Sequence, residues 1–286
     1  MKYANKIIIQ GYKGCFHEEA AQKHFRRDDL NTVPTDSFED LANKLSNEGE
    51  EHLAIMAIEN SIAGSILQNY RLLREHNFRV IGEVYLRIAL NLMAMPGVAI
   101  EDLKQVSSHP MALKQSLDFF SKHGHIKLVE SEDTALAAKR VAEQAKSTRG
   151  AVASKSAAKI YGLNILAESI ETSDVNYTRF FILQNNEQPI PQGIFNKASI
   201  YLRVDDKPGS LLKAMQIIAE QNTNISKLQS YPVLGKINEY YFYLDLEFND
   251  VNEYESIMEQ LKSVSSELTE LGVYNKANVY DHQAIS

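Results

Sequence analysis

Apolar positions along the chain switch between two periods, and the switches mark the elements. Ile7-Ile8-Ile9 is an uninterrupted apolar run, the form expected of a strand buried on both faces. Phe38, Leu41 and Leu45 then recur at helical spacing behind the capping candidates Asp36 and Ser37. Ala54 to Ile58 predicts the next buried strand, ending in Glu59-Asn60-Ser61. From Val84 to Leu92 every second residue is Val, Leu or Ile, which predicts one strand long enough to pass between two lobes. Further strands fit Ile126 to Val129, Ala151 to Ala153, and Arg179 to Leu183. Short strands alternating with helical patterns over residues 1–183 predict an α/β fold.

After that the pattern changes. Gln184 to Gly193 is polar, holds two prolines and has no periodicity, so residues 184–196 read as a linker. Within 197–286, Ile200, Leu202 and Val204 alternate as a strand. Pro208-Gly209-Ser210 turns into a helix with Leu211, Met215 and Ile218 on one face. Leu228 falls in a second strand. Phe242, Leu244, Leu246 and Phe248 alternate with Tyr243, Asp245 and Glu247 in a third. Tyr254, Ile257, Leu261 and Val264 mark a second helix, and Leu271 to Tyr274 a last strand. The order βαββαβ predicts a ferredoxin-like module.

Composition narrows the function classes. A chain of 286 residues fits about two domains. Lys and Arg number 30 against 37 Asp and Glu, and the basic residues are scattered. Nucleic-acid binding needs a basic face to replace phosphate counterions, so no nucleic-acid partner is expected. No apolar run approaches the ~20 residues that span a bilayer, so no membrane partner is expected. One cysteine excludes an internal disulfide framework. With no signal-peptide core at Met1 to Lys6, the expected compartment is the cytoplasm.

Candidate chemistry sits where strands end. Gly11 to Phe16, Glu59 to Ser65, Ser107 to Gln115, and Ser131 to Ala138 each place small or hydroxyl residues after a strand and before a helix. In open α/β sheets ligands bind outside the carboxyl ends of strands. Helix starts offer unpaired N–H groups and the positive end of a dipole. Pro110 fits a first helical position, with His109 or Ser108 as the cap. Simple capping explains any one of these sites; four together, with Asn60 preceding Ser61, favour a small anionic ligand. Ser156 to Lys159 matches S-x-x-K without its partner motifs. His123-Gly124-His125 lacks further metal ligands. Cys15 lacks an evident partner base and reads as a packed residue. There is no G-x-G-x-x-G and no Walker loop, so no cofactor is expected.

Three segments, in order, resemble the prephenate dehydratase family with a C-terminal ACT domain. Ala57 to Ser65 is similar to P-x-E-N-S-x-x-G-S, Ser108-His109-Pro110 with Gln115 to S-H-P-Q-A-L-x-Q, and Asn176 to Phe180 to N-x-T-R-F. The resemblance implies two lobes like a type-II periplasmic binding protein, with the active site in the cleft. It also implies conversion of prephenate to phenylpyruvate, CO2 and water. Thr178 would hydrogen-bond to the leaving hydroxyl. Arg179 would pair with a carboxylate or brace the cleft, and Phe180 would line the ring pocket. Asn60, Ser61, Gly64, Ser108, Gln115 and Thr134 would hold the substrate. Tyr12, Cys15, His17 and Met111 depart from the family's usual Pro, Thr, Ser and Gln.

Residues 197–286 resemble the ACT module, which implies L-phenylalanine as effector and a homodimer or homotetramer. Pro208, Gly209, Ser210, Leu211 and Leu212 resemble its G-A-L-x-x-x-L segment, and Asn224 precedes the second strand as in that module. Gln229-Ser230-Tyr231-Pro232 stands where E-S-R-P is usual, without the Glu and Arg that support the effector. Two rivals remain open: an arogenate dehydratase, and a non-catalytic amino-acid sensor built on the same cleft.

Overall fold

The computed structural model describes residues 6–48, 52–186 and 193–278. In chain order they form β1 (Lys6–Gln10), α1 (Phe16–Phe25), β2 (Thr32–Thr35), α2 (Phe38–Asn47), β3 (His52–Asn60), the two-residue β4 (Gly64–Ser65), α3 (Leu67–Glu75) and β5 (Phe78–Arg87). Next come β6 (Asn91–Ala94), β7 (Gln105–Ser108), α4 (Pro110–Gln115), α5 (Leu117–Ser121), β8 (Lys127–Glu130), α6 (Thr134–Gln144), β9 (Arg149–Ala153), α7 (Lys155–Tyr161), β10 (Asn164–Ala167) and β11 (Tyr177–Asn185). The last part holds β12 (Lys197–Arg203), α8 (Ser210–Glu220), β13 (Asn224–Pro232), β14 (Tyr240–Glu247), α9 (Val251–Val264) and β15 (Glu267–Tyr274).

The fold is mixed α/β. One sheet has the order β2-β1-β3-β11-β5, with β4 turned back on β3. Parallel pairing of β1 with both neighbours explains the unbroken Ile7-Ile8-Ile9, since helices cover both faces of such strands. A second sheet has the order β10-β6-β9-β7-β8. The long strand expected from Val84 to Leu92 is instead two strands, because residues 88–90 bond outside any ladder. Ile88 N–H donates to Asn176 O (2.7 Å), Leu90 N–H to the Glu171 carboxylate (2.8 Å), and Leu90 O accepts from Ile170. The expected linker begins late: β11 runs through Asn185, and residues 187–192 lie outside the described residues.

The chain divides into two compact units, Met1–Ile66 with Val84–Phe180, and Leu67–Glu83 with Phe181–Ser286. In the second, strand order β13-β14-β12-β15 with all pairs antiparallel is the expected ferredoxin-like arrangement. Ile200, Leu202, Leu244 and Leu246 face Ile218, Ile257 and Leu261 of the two helices. The opposite face carries Tyr243 and Asp245, yet both are buried. Residues 67–83 account for much of that: Tyr70 packs on Tyr243 at 4.8 Å, and the Arg74 guanidinium lies 4.0 Å from the Tyr241 ring centroid. Glu83 receives the Lys197 ammonium at 3.1 Å with both side chains buried. Residues 67–83 thus group with the C-terminal elements rather than with the residues flanking them in sequence. Among the described residues no helix is long and apolar enough to cross a membrane.

Candidate functional site

Three of the four strand ends singled out in the sequence open a helix as expected. After β1, Gly11 and Gly14 take positive φ (100° and 82°), and α1 starts behind Cys15. A β-carbon at Gly14 would lie 2.7 Å from the Ala157 α-carbon, so this loop seats against the start of α7 only as glycine. Ser154 Oγ donates to Gly14 O across the same contact (2.6 Å). After β7, Pro110 occupies the first helical position, and His109 is the cap, its Nδ1 accepting from Met111 N–H at 3.2 Å. After β8, Asp133 caps α6 by accepting from Leu136 N–H at 2.8 Å, which places Thr134 at the first turn.

The fourth strand end departs from expectation. Glu59 to Ser65 is a hairpin from β3 into β4, with Asn60 paired to Gly64. Asn60 closes it with its own side chain, as Oδ1 accepts from Ile62 N–H and Ala63 N–H at 3.0 and 2.9 Å. These backbone donors fix which end of the amide is oxygen. Nδ2 must then point the other way, where it donates to Asn176 Oδ1 (2.8 Å) and Thr178 Oγ1 (3.0 Å). Gln115 completes the ring: its Oε1 accepts from Asn176 Nδ2 (3.0 Å) and its Nε2 donates to Asn60 Oδ1 (3.4 Å). Three amides and one hydroxyl are thereby mutually oriented, and Asn60, Gln115, Asn176 and Thr178 are all buried.

The consequence falls on Thr178. Its oxygen accepts from Asn60, and among the described residues nothing takes its proton. A hydroxyl held by its acceptor side has its O–H left to donate, and Thr178 lines a cavity of about 370 Å³ together with Asn60, Gln115, Thr134 and Phe180. That volume is near the lower end for small-molecule sites, roughly 300–1,000 Å³. Its walls are apolar away from this polar end, with Phe38, Ile88 and Leu90 among them.

Among the described lining residues there is no Lys and no Arg. Glu132 and Asp133 are the lining carboxylates. Glu132 is bound by Arg140 at 2.6 and 3.2 Å, and that guanidinium holds its pKa down to about 2. Burial raises the Asp133 pKa above the usual carboxylate range, against the N–H groups of α6. Burial, with Asp133 close by, pushes the Cys15 thiol well above its usual range. Cys15 is buried, as a packed residue would be. His17 also lines the cavity and is neutral, its pKa pushed down to about 3 by burial.

Other residues expected to hold a ligand are placed elsewhere. Ser108 Oγ donates to Val152 O (2.6 Å) and ties β7 to β9 with no exposed surface. Ser61 clamps the segment before Thr178: its Oγ donates to Val175 O (2.8 Å) and accepts from Tyr177 N–H (3.0 Å). Gly64 supplies the positive φ of the hairpin and faces open space. Arg179 is buried beside the Tyr85 ring (5.9 Å) and is not among the described residues that line the cavity. Asn176 had no expected role although it stands in a singled-out motif; its central place required knowing that β3 and β11 bring it to Asn60.

In the C-terminal unit a hollow of about 270 Å³ is lined by Ser210, Leu211, Asn238 and Tyr240, with Lys207 at its edge. Gly209 caps α8 with φ 85° beside it. Leu212 is exposed, and Asn224, Gln229 and Ser230 lie along β13, outside the hollow.

Comparison with known proteins adds an independent finding. The family model described as prephenate dehydratase matches residues 7–188. The chain is 37% identical to arogenate dehydratase 2 of Petunia hybrida, over 94% of this chain and 71% of that protein. It is 35% identical to prephenate dehydratase of Methanocaldococcus jannaschii, over 97% and 100%. Its fold superposes on prephenate dehydratase from Arthrobacter aurescens in complex with L-Phe with a TM-score of 0.84, at 24% identity, covering 96% and 91% of the two chains.

Proposed function

The chain belongs to the prephenate dehydratase family, and on that premise we propose that its cavity converts prephenate to phenylpyruvate, carbon dioxide and water. The C–C bond to the ring carboxylate breaks, its electron pair enters the ring, and the ring C–O bond breaks with hydroxide leaving. One proton added to that hydroxide balances the equation, and aromatisation drives the step. The protein's tasks are to hold the ring between apolar walls, to meet the leaving oxygen, and to exclude water.

The single observation that carries this reading is the Thr178 hydroxyl, which accepts from Asn60 Nδ2 on a residue that lines the cavity. A threonine hydroxyl is a weak acid, so it acts as a hydrogen-bond donor to the departing oxygen, with the net proton arriving from water. Phe180, two residues along the same strand, lines the ring side of the cavity. Asn60, Gln115 and Thr134 are the polar contacts; Ser61, Ser108, Gly64 and Arg179 support them through the backbone and packing. The two α/β sheets and the C-terminal βαββαβ unit support a periplasmic-binding-protein-like catalytic region over residues 1–183, a linker that starts after β11, and an ACT module at 197–286. The hollow at Ser210 and Leu211 supports L-phenylalanine as effector, in a cytoplasmic homodimer or homotetramer.

The test is Thr178→Ala, assayed by phenylpyruvate formation from prephenate with arogenate in parallel. We expect kcat to fall by about 10²–10⁴ with KM within about threefold. A kcat close to that of the unsubstituted chain overturns the role of Thr178. Turnover of arogenate alone changes the substrate, and turnover of neither makes the cavity a binding site only.

A further inference from the structure

His17 is the second residue of α1, and the structure gives its ring a defined tautomer. Strand β1 pairs with β3 only as far as Ile9 opposite Ile55. Ala57 N–H lies beyond that ladder, and the His17 Nε2 takes it at 3.2 Å. A ring nitrogen that accepts a hydrogen bond carries no proton, so the neutral imidazole carries its proton on Nδ1. Burial keeps the ring neutral across the physiological range.

The rest of the ring's surroundings offer that proton no acceptor among the described residues. Phe180 meets the imidazole edge to face at 5.0 Å, and Phe38 lies 5.6 Å away. His17 lines the cavity, and with Nε2 turned to the Ala57 backbone the Nδ1 side of the ring is the one left to face it. The residue is therefore a donor and not a base: its lone pair is spent on Ala57, and its N–H is free.

The substrate proposed above carries two carboxylates, while no Lys or Arg lines the cavity among the described residues. Carboxylate recognition then falls to neutral N–H and O–H donors, of which an imidazole locked by the backbone is already oriented. We propose that His17 is a substrate-binding residue whose Nδ1–H donates a hydrogen bond to a carboxylate oxygen of the substrate. The inference rests on the dehydratase reading and adds to it a contact at a position where the family usually has serine.

Two substitutions separate this role from simple support of β3. His17→Gln keeps an acceptor near the Nε2 position and removes the donor at Nδ1; His17→Asn keeps a donor near Nδ1 and removes the contact to Ala57. With prephenate as substrate, Gln is expected to raise KM about ten- to a hundredfold, the cost of a hydrogen bond to a charged group, with kcat within about threefold. Asn is expected to raise KM less than Gln does, because it keeps the donor but loses the contact that orients it, while lowering Tm more than Gln does. A Gln variant with unchanged KM, or an Asn variant with the larger KM, overturns the proposal. Nitrogen-15 NMR of the unsubstituted chain provides a readout that does not depend on the variants folding: protonation at Nε2 in place of Nδ1 also overturns it. If the unsubstituted chain turns over no prephenate, it is the dehydratase reading that fails, whatever the variants do.

Discussion

Asn60 shows how one amide organises a site. Its oxygen is claimed by two backbone N–H groups of its own hairpin, so its nitrogen reaches Asn176 and Thr178, partners 116 and 118 positions along the chain. His17 follows the same logic, with one ring nitrogen fixed by Ala57 and the other released. That arrangement has a signature in acid. Burial lowers the His17 pKa to about 3 in the native chain from the 6.5 of an ordinary imidazole, so between those values the unfolded chain binds a proton that the native chain refuses. The stability this gives is complete above about pH 6.5 and is lost as pH falls toward 3. Asp133, whose pKa is raised, pulls in the opposite direction. Comparison of His17→Gln with the unsubstituted chain isolates the histidine. We expect the fall in Tm from about pH 7 to about pH 4.5 to be smaller in the variant, and thermal unfolding at the two pH values measures it. An equal fall in both would mean that His17 is protonated in the native state.

At the scale of elements, the glycine loop between β1 and α1 is held by close approach as well as by conformation. Gly14 and Gly97 have nearly the same φ, 82° and 83°, yet a β-carbon at Gly97 would meet nothing within 4 Å. Gly97→Ala therefore reports the backbone cost alone, about 1 kcal/mol. Gly14→Ala adds displacement of the Ala157 backbone, for a total of about 2–4 kcal/mol. Urea unfolding of the two variants checks the difference, and equal losses would mean that the loop stands off α7. Element type was largely legible in sequence because it follows local periodicity: helix α2 with its Ser37 cap, the buried β3 and the βαββαβ order all follow from spacing. The hairpin at Glu59 to Ser65 was not, since Asn-Ser after a strand serves equally as a helix cap and as a turn. Nor was the break at Ile88 to Leu90, where hydrogen bonds to residues 170–176 outweigh a clean period-2 pattern.

Across the whole chain, the second unit explains why residues 67–83 do not follow their sequence neighbours. Lys197 and Glu83 form an ion pair with side chains 2% and 0% exposed, and such charges are kept only in company. Tyr70 and Arg74 add aromatic and cation–π contacts to the same sheet face. The regulatory reading belongs at this scale, because an effector acts only through the intact chain. L-phenylalanine is expected to bind the full-length protein at up to millimolar concentration and to raise its Tm by mass action, with D-phenylalanine as control. Calorimetry that shows no heat of binding at about 1 mM removes the effector and leaves the dehydratase reading intact.

The sequence by itself determined the order of most elements and the three motifs that carry the family resemblance. All of these depend on residues within a few positions of each other. Only the tertiary structure shows which motif residues line the cavity: Asn60, Gln115, Thr134, Thr178 and Phe180 do, while Ser61, Ser108, Gly64 and Arg179 do not. It also brought in Asn176, fixed the orientation of His17, and moved residues 67–83 to the C-terminal unit. The physical reason is common to all of these. A side chain's role is set by the donors, acceptors and rings that meet it, and here those partners lie tens to more than a hundred positions away, where no local pattern records them.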